Sequence, residues 1–221
     1  MDIKITKNDK RLTRDRYGRY VLNGDLVCNG NIIIELDNLL LVTGRIEAGG
    51  YIEAGYGIKA GDGIKAGYGI KAGGRIEAGY CIEAGYGIKA GGHIEAGWGI
   101  EAGGHIEAGW GIKAGYSIKA GDYIDVKKRI FAGTSVYRTS SNCDKTIMCS
   151  ELRSGEIAYG ELIITKKEEY ACDKCIHRCV CKLDKPSPRI LPIRFSYEIN
   201  NLDVALKYSP LEMQCAYFKE K

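Results

Sequence analysis

Four of the nine cysteines lie within ten residues, as Cys172-x2-Cys175-x3-Cys179-x-Cys181, with His177 among them. Thiolates this dense are soft donors, and in a reducing cytosol they point to one structural Zn²⁺ in tetrahedral coordination. The spacing departs from an ordinary zinc finger, in which two ligand pairs stand a dozen or more residues apart. Cys143, Cys149 and Cys215 are therefore alternative ligands, and free thiols or disulfide chemistry are the competing readings. A second chemistry belongs to His93 and His105, each a conceivable general base of the hexapeptide acyltransferase kind. Such a base needs a positioned partner and a substrate pocket. Both histidines sit in near-identical units, Gly92-His93-Ile94 and Gly104-His105-Ile106, where duplication would place any corner residue. The sequence shows no loop inserted between repeats to shape an acyl-donor site, no nucleophile–base pair and no phosphate loop. Runs such as Gly55-Tyr56-Gly57 belong to the repeat rather than to a dinucleotide fingerprint. No catalytic residues are expected.

Binding chemistry has more candidates. Residues 1–20 carry Lys4, Lys7, Lys10, Arg11, Arg14, Arg16 and Arg19 against Asp2, Asp9 and Asp15, an excess that equals the +4 of the whole chain. With Tyr17 and Tyr20 interleaved, this arm reads as a phosphate-contacting segment or as a solvated cap over the first open edge of the fold. From Arg45 to Ile124 the chain is nearly neutral, with eight basic and nine acidic residues, which argues against an acidic DNA mimic. Aromatic side chains recur through the same stretch: Tyr56, Tyr68, Tyr80, Tyr86, Trp98, Trp110 and Tyr116, each followed by a small residue. Where glycine comes first, the next residue is large, as at Arg45, Tyr51, Arg75, His93 and His105. These rings read as stiffening ladders or as anchors for a partner. In the second reading Trp98, Trp110, Tyr86, Tyr116, His93 and His105 form the candidate contact surface, with the two tryptophans at its centre.

What must position these residues is a repeat. From Ile46 to Ile130 an isoleucine falls at every sixth residue, fifteen in all, and up to Ile118 the unit is Ile-[Glu/Lys]-Ala-Gly plus two variable residues. The register runs on in degraded form, with Leu22, Cys28, Ile34 and Leu40 in the isoleucine slot before it and Val136 after it, about twenty hexads in total. A six-residue apolar period matches no helical face, and the two glycines in many units would break a helix. Isoleucine and alanine two apart share one face of a strand, with Glu or Lys on the other and glycine at the turn. The expected fold is therefore all-β, a parallel β-solenoid. Three hexads per coil give a triangular section and two a flattened one. Opposite charges meet in seven of eleven pairs at a spacing of 18 and in nine of twelve at a spacing of 12. One Ile and one Ala per wall favours the triangle.

The domain reading follows: 1–20 a basic arm or cap, 21–138 the solenoid, and 139–221 a small β-rich C-terminal domain. The last contains strand-like Glu161–Thr165 and Ile193–Ile199, all four prolines and the cysteine cluster. Thirty glycines in 221 residues is about twice the usual share, and only three phenylalanines are present, as suits a repeat rather than a conventional interior. No run reaches the roughly 18 apolar residues of a membrane helix, and charges at Asp2 and Lys4 stand where a signal peptide has its apolar core. A cytoplasmic protein with no membrane contact is expected.

The Gly-x-Ile-x-Ala-Gly rhythm resembles the polymer-forming bactofilin group and other hexapeptide-repeat solenoids. It is more similar still to small repeat proteins carried by phages and prophages, in which a leader like Leu22-Asn23-Gly24-Asp25-Leu26 precedes near-identical units. The likeness covers residues 20 to about 138 and is specific for architecture. It implies a non-enzymatic binding protein, in its most specific form a phage-encoded inhibitor of a bacterial defence nucleoprotein of the anti-CRISPR type. The partner would then be a host protein or ribonucleoprotein. The bactofilin likeness implies instead a self-assembling scaffold, and the hexapeptide acyltransferases an enzyme. In those enzymes the small inward residue precedes the aliphatic one by two, whereas here it follows by two.

Overall fold

Alternation of inward Ile and Ala with an outward charge makes a three-residue strand, and each hexad from Ile46 to Ala120 forms one. The structure, a computed structural model, describes residues 1–135 and 145–165. In chain order the strands are β1 (Ile3–Thr6), β2 (Leu12–Arg14), β3 (Tyr20–Leu22), β4 (Leu26–Cys28), β5 (Ile32–Glu35) and β6 (Leu40–Val42). Thirteen repeat strands follow, from β7 (Ile46–Ala48) to β19 (Ile118–Ala120). Then come β20 (Tyr123–Ala132), β21 (Thr146–Cys149), β22 (Glu151–Tyr159) and β23 (Glu161–Ile164). Among the described residues no helix is long and apolar enough to cross a membrane.

Each repeat strand pairs in parallel with the strand three hexads away. Ile64 stands opposite Ile46 and Ile82, and Ala66 opposite Ala48 and Ala84, so one coil takes 82 − 64 = 18 residues. The section is triangular, as favoured from the one-Ile, one-Ala wall, and the flattened alternative does not occur. Wall one begins with β1 and β5, wall two with β4 and β7, and wall three with β2, β3 and β6. Wall two is an eight-stranded sheet running from β4 to β23, which sets the stack at eight coils. The long β20 turns a corner, placing Ile124 opposite Ile106 on wall one and Ile130 opposite Ile112 on wall three.

The interior is a set of isoleucine and alanine ladders. All fifteen isoleucines from Ile46 to Ile130 are at most 1% exposed. Full burial of such a side chain is worth ~1.5–3 kcal/mol, and the ladder repeats it at every rung. The invariant glycine after alanine serves close approach rather than an unusual backbone conformation. Positive φ occurs only at Gly18, Gly24, Gly133, Gly155 and Gly160 among the described residues. A Cβ added at Gly67 would instead overlap the carbonyl oxygen of Gly49, one coil earlier.

Two expectations of register are corrected. Leu22, Cys28 and Ile34 occupy the alanine slot, opposite Val42, Ala48 and Ala54. Tyr20, Leu26 and Ile32 take the isoleucine slot. The cause is a two-residue insertion: Ile32 to Leu40 spans eight residues where a hexad has six, so the first full coils take 20 residues. Cys28 is accordingly half-buried at the end of its strand rather than sealed in the core. The stack also continues past position 138, where the hexad pattern ends. Among the described residues parallel pairing carries on through β21, β22 and β23, so the stack extends as far as Ile164.

Candidate functional site

The six residues expected to form one contact surface lie on three different edges of the prism, two to each. The edge leading into wall one carries Tyr51, Tyr68, Tyr86, His105 and Tyr123. Tyr51 stacks on Tyr68 with ring centroids 5.2 Å apart, Tyr68 on Tyr86 at 5.6 Å, and His105 on Tyr123 at 5.1 Å. The edge leading into wall two carries Tyr80, Trp98 and Tyr116, packed edge to face at 5.4 and 5.9 Å. The third edge, leading into wall three, carries Tyr56, Arg75, His93, Trp110 and Lys128, and there the Lys128 ammonium stands 4.8 Å from the Trp110 ring centroid. Repeat units identical in sequence reach different edges because successive hexads turn successive corners. A flat partner can cover one edge at a time.

Pairing of small and large corner residues has a steric cause. His105 lies beside Gly87, where an added Cβ would stand 2.7 Å from its Cε1. Likewise Tyr51 lies beside Gly69, whose Cβ would meet its ring at 3.3 Å. At these positions a glycine on one coil makes room for the ring in the same slot of its neighbour, whereas rings that share a slot on successive coils, as Tyr68 and Tyr86 or His105 and Tyr123 do, stack on each other. The rings stay about half-exposed for all that: Trp98 is 52% and Trp110 60% accessible. Aromatic stacking adds ~0.5–1.5 kcal/mol per pair, and the exposed faces remain free for contact.

Outward charges form ladders along the walls. Five of the opposite-sign pairs at a spacing of 18 close as ion pairs: Lys59–Glu77, Lys65–Glu83, Lys71–Glu53, Lys89–Glu107 and Lys113–Glu95. Glu77 faces the like-charged Glu95 on the next rung, and local cations settle the conflict. Lys59 reaches it at 2.8 Å and His93 Nε2 at 3.3 Å. Arg75 Nε stands 2.8 Å away as an ion pair, though its N–H is not aimed along a hydrogen bond. Burial pushes the Glu77 carboxyl up, but Lys59, Arg75 and His93 outweigh it and hold the group below its ordinary 4.5. His93 thus has a carboxylate partner, one already neutralised by two other cations.

The same edge opens into a groove of ≈ 830 Å³, walled by His93, Trp110, Lys113, Lys127, Arg129 and Phe131 among others. No hydroxyl or thiol side chain lines it. Sequence reasoning missed the groove because its basic run, Lys127-Lys128-Arg129, falls where the hexad pattern is fading. The visible signal was that these residues fill a corner slot held elsewhere by glycine and an aromatic.

The basic arm is folded onto the stack. β1 pairs in parallel with β5, and β2 lies antiparallel to β3. Lys4 bridges Glu35 at 2.8 Å, Lys7 meets Asp37 at 3.5 Å, Arg11 meets Asp9 at 2.7 Å and Arg19 meets Asp15 at 2.6 Å. Arg14 donates to the Tyr20 hydroxyl at 2.6 Å and to the Gly18 carbonyl at 2.8 Å. The Tyr20 hydroxyl in turn donates to Asp37 at 2.9 Å. Arg16 stands over the Tyr17 ring at 4.8 Å. Lys10 is the one arm cation with no ion pair or ring contact among the described residues.

Cys172, Cys175, Cys179 and Cys181 lie outside the described residues, as do Cys143 and Cys215. Cys149, an alternative ligand, is wholly buried, and burial pushes its thiol up. Among the described residues no three His, Cys, Asp or Glu side chains converge to hold a metal. In comparisons with known proteins, no family, no curated protein and no solved structure matches the chain.

Proposed function

We propose that this chain is a non-enzymatic binding protein, a rigid triangular rod that presents aromatic edges to a macromolecular partner. One observation carries the reading. Seven large aromatic side chains, Tyr51, Tyr56, Tyr68, Tyr80, Tyr86, Trp98 and Trp110, stand 46–61% exposed on a backbone locked coil to coil. Rings held this way offer large contact area with little conformational entropy left to lose. Tyr and Trp are the residues most enriched among binding hot spots. The likeness to phage-borne repeat proteins supplies the partner class. The rod acts in the bacterial cytoplasm as an inhibitor of a defence nucleoprotein, of the anti-CRISPR type, by occupying a surface the nucleoprotein needs.

The bactofilin-type scaffold is less favoured, because free end-to-end stacking needs bare parallel edges. Here β2 runs antiparallel at the head of wall three, which interrupts parallel continuation. Enzymatic acyl transfer has His93 and its groove to offer, but the Glu77 that would orient the imidazole is engaged by Lys59 and Arg75. The test is capture of a stoichiometric partner from bacterial lysate by the tagged chain, with and without nuclease, alongside its mass by light scattering. A defence nucleoprotein bound at fixed ratio supports the reading. A ladder of self-assemblies with no partner overturns it in favour of a scaffold.

A further inference from the structure

The groove on the third edge has a structural origin that also fixes what its side chains are free to do. On β20 the two inward isoleucines that flank the corner are 130 − 124 = 6 residues apart, and on β22 their partners Leu152 and Ile157 are 157 − 152 = 5 apart. The last coil is one residue short. It cuts the corner through Gly155, at φ +115°, where an added Cβ would stand 3.2 Å from Ile130 Cδ1 and from Val126 Cβ. Pairing jumps from Asp125–Ser154 to Arg129–Glu156, which leaves Lys127 and Lys128 with no registered partner on β22, although the Lys128 N–H still donates to the Trp110 carbonyl one coil earlier. Register breaks of this kind re-aim side chains and recur beside functional sites.

Charge at this corner is available in a way that the arm's is not. Of the groove's carboxylates, Glu95 is taken by Lys113 at 2.9 Å and Glu156 by Arg129 at 3.3 Å. Lys127 and Lys128, both exposed, have no carboxylate partner among the described residues. Lys128 instead stands over the Trp110 indole. The Lys127 ammonium, the Lys128 ammonium with only the indole as neighbour, an indole 60% exposed and the half-buried ring of Phe131 therefore share one open trough.

We infer that this trough binds single-stranded nucleic acid, with phosphates on Lys127 and Lys128 and a base stacked on Trp110. A basic groove with aromatic faces along it is the arrangement by which such strands are held without sequence preference. An acidic protein segment would satisfy the lysines but leave the indole without a planar partner, which is why nucleic acid is favoured. The inference concerns free oligonucleotide and does not depend on the identity of any protein partner.

The experiment is fluorescence anisotropy with labelled oligo-dT and oligo-U and the full chain, titrated at several salt concentrations. Binding that weakens as salt rises is expected. The double variant Lys127→Glu/Lys128→Glu should weaken it at least tenfold and lower the slope of log affinity against log salt by about 1.4, from ~0.7 per phosphate on single strands. Trp110→Ala should weaken it by about tenfold through lost stacking, while Trp98→Ala, on another edge, should not. The charge-matched Lys10→Glu/Arg16→Glu control should leave affinity within twofold, and unchanged melting temperatures verify that each variant is folded. No binding at low salt overturns the inference. So does equal loss in the arm control, which would mean diffuse charge, or displacement by polyglutamate as effective as by unlabelled oligo-dT, which would mean a site for acidic protein.

Discussion

The imidazole of His105 occupies the space that Gly87 leaves open one coil away, with an added Cβ only 2.7 Å from its Cε1. The pair shows how the corners are built: side-chain volume is shared between neighbouring coils. Gly87→Ala should therefore push His105 off its stack on Tyr123 and lower stability by ~1–3 kcal/mol, the usual range for overpacking. Gly99 is the control. An added Cβ there meets nothing closer than 3.5 Å, at the Ser117 carbonyl oxygen. Gly99→Ala should be neutral or gain a few tenths of a kcal/mol by stiffening the unfolded chain. Urea denaturation of the two variants checks the contrast, and equal losses would show that the corner rule has another cause.

Core rungs should be costly to shorten. Ile82 is wholly buried in the middle of wall two, between Ile64 and Ile100. Ile82→Ala should cost about 2–5 kcal/mol, read as a lower urea midpoint. A loss well under 1 kcal/mol would mean that neighbouring coils close the cavity.

Glu77 gives the fold a predictable acid sensitivity. Lys59, Arg75 and His93 hold its folded carboxyl below the ordinary 4.5, against the opposing effect of burial. A lowered folded value contributes stability that is fully present above the unfolded value and is lost as pH falls through the folded one. Melting temperature should fall below about pH 4.5, and Glu77→Gln should be less stable at pH 7 yet flatter in that acid window. Parallel wild-type and variant curves there would show that Glu77 is not the group responsible.

Much of the fold was legible because the repeat states its own geometry: Ile-x-Ala sets the strand and glycine sets the coil-to-coil approach. Coil length was harder to read from charge, since a spacing of 12 satisfied more opposite pairs than 18. Those charges are largely exposed, and exposed ion pairs are worth ~0–1 kcal/mol, so the core decides the coil and the walls tolerate Glu77 beside Glu95. The N-terminal register was misread because Ile32-Ile33-Ile34 and Leu26-Val27-Cys28 are apolar at every position. Either alternation fits such runs, and the two-residue insertion before Leu40 leaves no other mark. Candidate contact residues were recognised one by one, but their split over three edges follows only from three hexads per coil. The depth of the groove was not legible, because it depends on a residue missing from β22, where no repeat remains to count against; only the basic run Lys127-Lys128-Arg129 in a corner slot marked its place.

The central claim is that the edges bind, and that one partner engages one edge. Affinity capture of the lysate partner by Tyr86→Ala, Trp98→Ala and Trp110→Ala, each on a different edge and each verified as folded by its melting temperature, tests it most directly. The account predicts that one variant loses the partner by at least tenfold while the other two retain it. Full retention by all three would contradict it, leaving the aromatic ladders as stiffeners of the rod.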